Sequence, residues 1–217
     1  MATVSQLGAD RHPLRPLWQN IVKRAMDLLL GTFLVILLAP VMGAIAVSIW
    51  AMEGRPILYT WRVAGKGGRP FRSWKFRTMA RDADRRKHEL LSRNEMVGPV
   101  FKIRDDPRLT RSGRFLRRYS LDELPQLFSV ILGDMSLVGP RPPLLDEWER
   151  FQPWQRRKLS VIPGLTCIWQ VEGRADIRDF NDWVRMDLEY IDHWSLLLDL
   201  KILAQTAIVV LAGKGAY

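Results

Sequence analysis

From Leu28 to Met52 the chain holds 25 consecutive residues without a charge, LLLGTFLVILLAPVMGAIAVSIWAM. A run of this length exceeds the roughly 20 residues an α-helix needs to cross a bilayer. Pro40 stands in the middle, where it removes a backbone hydrogen bond and bends the helix. The 12 residues on either side of it reach only about 18 Å, too short to span alone. Basic residues flank both ends: Arg11, Arg15, Lys23 and Arg24 before the run, and Arg55, Arg62, Lys66, Arg69, Arg72, Lys75 and Arg77 after it. Positive flanks favour the cytoplasmic side, so the preferred reading is a re-entrant helical hairpin that enters, bends at Pro40 and returns. A spanning helix kinked at Pro40 competes with it. So does a signal peptide cleaved near Ala44-Ile45-Ala46, which would start late and leave an apolar, then basic, product. The chain divides into a basic arm (1–22), a membrane segment (23–54) and a folded domain (55–217).

Beyond Pro56 the pattern alternates. ILYTWRV and FRSWKFRTM flank AGKGGRP and predict a β-hairpin. The spacing of Gly65, Gly67 and Gly68 fits neither a Walker loop nor a dinucleotide fingerprint. Arg81 to Glu95 reads as a charged, solvated helix, and GPVFKIRDDPRLT as an extended strand and turn. Ser112 to Tyr119 begins a helix carrying Arg114, Arg117 and Arg118. PPLLDEWERFQPWQRRKLS is amphipathic, with Trp148, Phe151 and Trp154 among charges, and PGLTCIWQVEGR is a turn, short strand and Gly-Arg turn. Phe180 to Leu211 is helical, and its last part packs in the core or lies on the membrane. The class is α+β, mostly helical, with a small β-hairpin and amphipathic interfacial helices.

Charge adds an anionic partner to this picture. The formal net charge of the 217 residues is +10, which suits nucleic acid, lipid headgroups or a phosphorylated substrate. No nucleic-acid motif is present, so nucleic acid is not an expected partner. The single cysteine, Cys167, excludes an internal disulfide or a cysteine-rich zinc site. It reads as a small buried residue, since no histidine partners it in sequence.

Candidate chemistry centres on SLDELPQLFSVILGDMSLVGPRP, Ser120 to Pro142. Ser120 and Glu123 match a capping box. Pro125 is tolerated only in a first helical turn, so the helix is expected to begin near Asp122. Asp122 and Glu123 would then lie among free N–H groups. Arg117 precedes them, and Pro140 and Pro142 hold Arg141 between them. Guanidinium groups bind phosphate bidentately. An acidic pair near arginines, without histidine, suits a carboxylate nucleophile acting on a phosphoryl group beside a divalent cation. A structural helix cap with surface ion pairs is the competing reading.

KRAMDLLLG, KFRTM, DDPRLT, SLDELPQL, GDMSLVGPRP, PGLTCIWQVEGR and DLEYIDHWSLLLDLKIL occur in that order over residues 20–217. Together they resemble the bacterial sugar transferases, the small monotopic polyprenyl-phosphate phosphoglycosyl transferases. The resemblance implies transfer of a sugar 1-phosphate from a UDP-sugar to undecaprenyl phosphate, with loss of UMP, at the start of exopolysaccharide, capsule or O-antigen synthesis. It implies ping-pong chemistry, with Asp122 as nucleophile and Glu123 helping to hold Mg²⁺. Arg117 and Arg141 would bind phosphate, and Lys75, Arg77 and Arg174 would contact nucleotide or phosphate. Residues 55–217 would be the cytoplasmic catalytic domain at the bacterial inner membrane. The sugar is expected to be glucose or galactose, and a homodimer is compatible with the sequence. The family breaks its re-entrant helix at a Ser-Pro pair. Here Ala39 precedes Pro40, so the bend leans on Pro40 alone. Many relatives carry Gly where this chain has Cys167. The chain is also expected to be the minimal catalytic form, without the further N-terminal membrane helices of larger members.

Overall fold

The structure, a computed structural model, describes residues 16–172 and 177–213. Helix α1 (Leu17–Glu53) leads into an antiparallel pair, β1 (Leu58–Ala64) and β2 (Pro70–Phe76), registered Leu58 opposite Phe76. Next come α2 (Ala83–Arg86), a 3-10 stretch His88–Arg93, α3 (Arg111–Arg118), a 3-10 turn Leu121–Glu123 and α4 (Gln126–Leu132). Strand β3 (Ser136–Val138), the short helices α5 (Leu145–Glu149) and α6 (Pro153–Arg156), and β4 (Gly164–Thr166) follow. The chain ends in α7 (Ile168–Glu172), α8 (Phe180–Asp192) and α9 (Leu196–Ala212).

The mostly helical class and the hairpin agree with the pattern, but several finer expectations do not. Arg81 to Glu95 is no single helix, because only Ala83 of its two short helical pieces is buried and short helices without packing are marginal. The amphipathic run after Pro142 does form helices, α5 and α6, the second started by Pro153. Residues 98–108 hold no ladder strand; Met79–Leu109 and Val97–Asp179 are isolated bridges. Strands β3 and β4, three residues each, pair in parallel. Their approach needs glycine, since a Cβ on Gly164 would lie 2.0 Å from Gly139 N.

Helix α1 decides the architecture. Its 37 residues are helical throughout, with Pro40 inside the helix. Lys23, Asp27, Gly31, Ile45 and Ile49 are buried, and Leu30, Leu34, Val35, Leu38, Met42 and Ala46 pack on the cores between and beside them. The buried positions recur every three or four residues and form one stripe about 40 Å long. The stripe lies against α4, β3, β2 and α3. Leu29, Phe33, Ile36, Leu37, Val41, Val47 and Trp50 face outward and are exposed. An apolar face of this size needs a cover other than water.

Three cores support the domain. Leu127, Val130, Met135, Leu137, Val138, Tyr190 and Ile202 join α4, β3, α8 and α9 under the first half of α1. Ile45, Ile49, Phe76 and Leu116 join its second half to β2 and α3. An aromatic core around α8 stacks Trp169 on Trp183 at 4.1 Å. Cys167 is buried there, as expected, and burial pushes its thiol up, away from nucleophilic use.

Candidate active site

Helix α3 is set by its cap. Thr110 Oγ1 accepts from Gly113 N at 2.9 Å. Gly113 lets the helix touch the end of β2, since a Cβ there would stand 2.0 Å from Thr78 O. The helix ends at Ser120, which has φ 53° and ψ 21°. The expected capping box does not form: the Ser120 side chain caps nothing, and its backbone oxygen instead accepts from Glu123 N at 3.2 Å. Helix α4 begins after Pro125, not near Asp122. Pro125 has no N–H to give to Leu121 O, so the chain enters α4 through 3-10 bonds such as Leu124 N to Leu121 O. Asp122 and Glu123 therefore sit in a buried turn between two helices.

Three cations surround this turn. Lys75 Nζ of β2 lies 2.7 Å from Glu123 Oε1, and Arg141 Nη1, just past β3, lies 3.1 Å from the same oxygen. The Trp61 ring of β1 faces Lys75 Nζ at 4.3 Å, a cation–π contact that fixes the ammonium from the other side. Arg117 Nε donates to Thr78 Oγ1 at 3.1 Å and acts on Asp122 and Glu123 through space. Burial lowers the Lys75 ammonium from its ordinary value, and Arg141 adds to this, while Glu123 and Asp122 work against them. Burial lowers Arg117 as well, opposed by Asp122, Asp106 and Glu123. For Arg141, burial is outweighed by Glu123 and the guanidinium is raised. Among the described residues, Lys75, Arg117 and Arg141 outnumber the two carboxylates, which suits a phosphate group.

The other expected site residues lie elsewhere. Arg77 Nη2 donates to Glu53 O at 3.0 Å and Gly54 O at 2.9 Å, closing the C-terminal end of α1. Arg174 lies outside the described residues. Lys23 and Arg24, read from sequence as basic residues flanking the apolar run, point inward: Lys23 pairs with Asp199 at 2.6 Å, and Arg24 donates to Val130 O and Ile131 O.

Sequence reasoning missed Asp106 and Arg108, which form a buried bidentate pair beside Arg117, with contacts of 2.6 and 2.9 Å. Their Asp-x-Arg spacing in DDPRLT was the available signal. Among the described residues no three His, Cys, Asp or Glu side chains gather into a metal cage. Two adjacent carboxylates do fit Mg²⁺, which commonly takes one or two carboxylates and completes its shell with phosphate and water.

The fold thus sets an apolar helix along the domain and two adjacent buried carboxylates among basic side chains. The chain belongs to the bacterial sugar transferase family, whose description matches residues 18–213. It is 44% identical over 196 residues to Galactosyl transferase CpsE of Streptococcus agalactiae serotype III, covering 90% of this chain and 43% of that protein. It is 40% identical over 205 residues to Undecaprenyl-phosphate galactose phosphotransferase of Salmonella typhimurium, covering 91% and 42%. With Exopolysaccharide production protein ExoY of Sinorhizobium fredii it shares 38% over 208 residues, covering 94% and 91%. The chain thus spans under half the length of the first two relatives and nearly all of the third.

Proposed function

We propose that this chain transfers a sugar 1-phosphate from a UDP-sugar to undecaprenyl phosphate, releasing UMP and starting exopolysaccharide, capsule or O-antigen synthesis. The observation that carries the reading is the buried Asp122-Glu123 turn ringed by Lys75, Arg117 and Arg141. Family membership and relatives named for galactose and undecaprenyl phosphate support it. Glucose or galactose is the sugar.

The reaction proceeds in two displacements at one phosphorus. An Asp122 carboxylate oxygen attacks the β-phosphorus of the donor. The bond from that phosphorus to the bridging oxygen breaks, and UMP leaves with that oxygen. An oxygen of undecaprenyl phosphate then attacks the same phosphorus. The Asp122–phosphorus bond breaks and the carboxylate is restored. Arg141 and Arg117 neutralise the phosphate oxygens in both steps. Lys75 holds Glu123 in place. Asp122 and Glu123 would hold Mg²⁺, which supplies charge neutralisation at the diphosphate.

The apolar helix brings the site to its lipid substrate. Both ends of α1 are tied to one domain, through Lys23 and Asp199 at the start and Arg77 and Glu53 at the end. A helix so held keeps both flanks on one side. The reading is a monotopic protein on the cytoplasmic face of the inner membrane, with α1 re-entrant in one leaflet and bent at Pro40. Arg55, exposed just past the end of α1, would face lipid headgroups.

Asp122→Asn tests the chemistry. UMP release from UDP-galactose or UDP-glucose with undecaprenyl phosphate is expected to fall by more than about 10³-fold, with the thermal transition retained. EDTA is expected to stop the wild type, and added Mg²⁺ to restore it. Unchanged turnover by the variant would remove Asp122 as nucleophile.

A further inference from the structure

We propose that the N-terminal end of α1 positions Arg141 through β3, with Asp27 as the positioning residue, while the other end of the helix fixes Lys75 through Arg77. The inference rests on the reaction assigned above and adds residues that touch neither substrate nor Asp122.

The starting point is an apolar helix with charges in the wrong place. Asp27 is buried with 3% exposure on the packed stripe of α1, and the catalytic turn makes no use of it. A buried carboxylate is expensive unless its hydrogen bonds are made. Asp27 Oδ1 accepts from Ser136 Oγ at 3.0 Å and Leu137 N at 2.9 Å. Strand β3 pairs with β4 along one edge; Leu137 N lies on the other edge, and α1 fills it. Lys23 Nζ adds a bond to Val138 O at 3.0 Å.

From Val138 only Gly139 and Pro140 intervene before Arg141. Gly139 N bonds Thr166 O at 3.0 Å, and Gly164 N bonds Pro140 O at 2.9 Å. Pro140 and Pro142 restrict the backbone on either side of Arg141. A shift of β3 therefore passes to the Arg141 guanidinium with little slack. At the opposite end of α1, Arg77 grips Glu53 O and Gly54 O two residues after Lys75, and the Glu53 carboxylate accepts from Ser112 Oγ. Lys75 and Arg141 share a single oxygen of Glu123. Two like charges converging on one atom need their backbones held from outside, and the two ends of α1 hold them. The site is complete only with α1 seated.

The test uses the full chain in lipid nanodiscs, with UMP release as readout. Asp27→Ala is expected to lower kcat about tenfold, with the KM for UDP-sugar changed by less than about twofold. Asp27→Asn keeps an acceptor oxygen and is expected to recover most of the rate. Ser136→Ala removes one bond and no charge, and gives a smaller loss in the same direction. The double variant Asp27→Ala with Arg141→Lys is expected to be no slower than Arg141→Lys alone. Hydrogen exchange supplies a readout independent of turnover: in Asp27→Ala or Ser136→Ala, amides of 136–144 and 120–124 exchange faster at an unchanged melting temperature. Additive losses in the double variant, losses that follow the melting temperature, or exchange changes confined to α1 would overturn the proposal. A wild type that releases no UMP from either sugar donor would overturn the assigned reaction instead, and the exchange pattern would still decide whether α1 positions the site.

Discussion

Ser120 is a non-glycine residue in the left-handed region, a conformation that costs an L-residue about 1–2 kcal/mol. The turn it makes swings Asp122 and Glu123 out of the line of α3 and under Arg141. Ser120→Gly is therefore expected to leave the melting temperature equal or higher, while Ser120→Val is expected to lower stability by about 2 kcal/mol, both read by thermal denaturation. Asp106 contributes stability that depends on pH. Burial raises its carboxyl, but the hydrogen bonds and charge of Arg108 outweigh burial and hold it below the ordinary 3.8. The folded carboxylate thus gives up its proton more readily than the unfolded one. Its stabilisation is present above about pH 4 and is lost as pH falls through the lower folded value. Asp106→Asn is expected to cost about 3 kcal/mol at pH 7, and urea titrations are expected to show the gap to wild type closing on acidification below 3.8. The acidic pair and Arg141 were legible as candidates from residue type alone. Ser120 was misread as a cap because S-x-x-E describes identities, whereas capping depends on backbone angles that the neighbouring Pro125 and α3 decide.

At the scale of elements, α1 shows why hydropathy has limits. A uniformly apolar helix carries no visible stripe, since lipid-facing and core-facing positions hold the same residue types. Lys23, Arg24 and Asp27 mark the packed face. Their partners are far away in sequence: Asp199 accepts from Lys23, from Tyr190 Oη at 2.8 Å and from Trp194 Nε1 at 3.0 Å. This knot joins α1, α8 and α9 above β3. Lys23→Met leaves the buried Asp199 charge without its ammonium and is expected to cost about 3–5 kcal/mol in chemical denaturation. Strand β3 escaped the pattern for another reason, whereas β4 lies within PGLTCIWQVEGR, where a short strand is expected. Three-residue strands are too short for alternation to register, and all three residues of β3 are buried.

For the whole molecule the +10 charge divides between uses. Lys23, Arg24, Lys75, Arg77, Arg108, Arg117, Arg141 and Lys158 are engaged with named partners inside the fold. Topology is the property that tests the arrangement. Cys167 is buried, so the native chain gives little background in thiol labelling. Gln19→Cys and Gln152→Cys are expected to react with an impermeant maleimide from the same side of sealed inner-membrane vesicles. Labelling from opposite sides would mean that α1 crosses the bilayer.

The sequence by itself determined the apolar segment, the β-hairpin, the helical majority and the residues able to carry phosphoryl chemistry, because these follow from local periodicity and side-chain type. Only the tertiary structure decided that α1 packs against the domain, that Arg77 closes that helix, and that Asp122 and Glu123 occupy a strained turn with Lys75 and Arg141 on one carboxylate oxygen. Those outcomes depend on contacts between residues from about 20 to more than 170 positions apart, and such contacts leave no periodic trace in the chain that makes them.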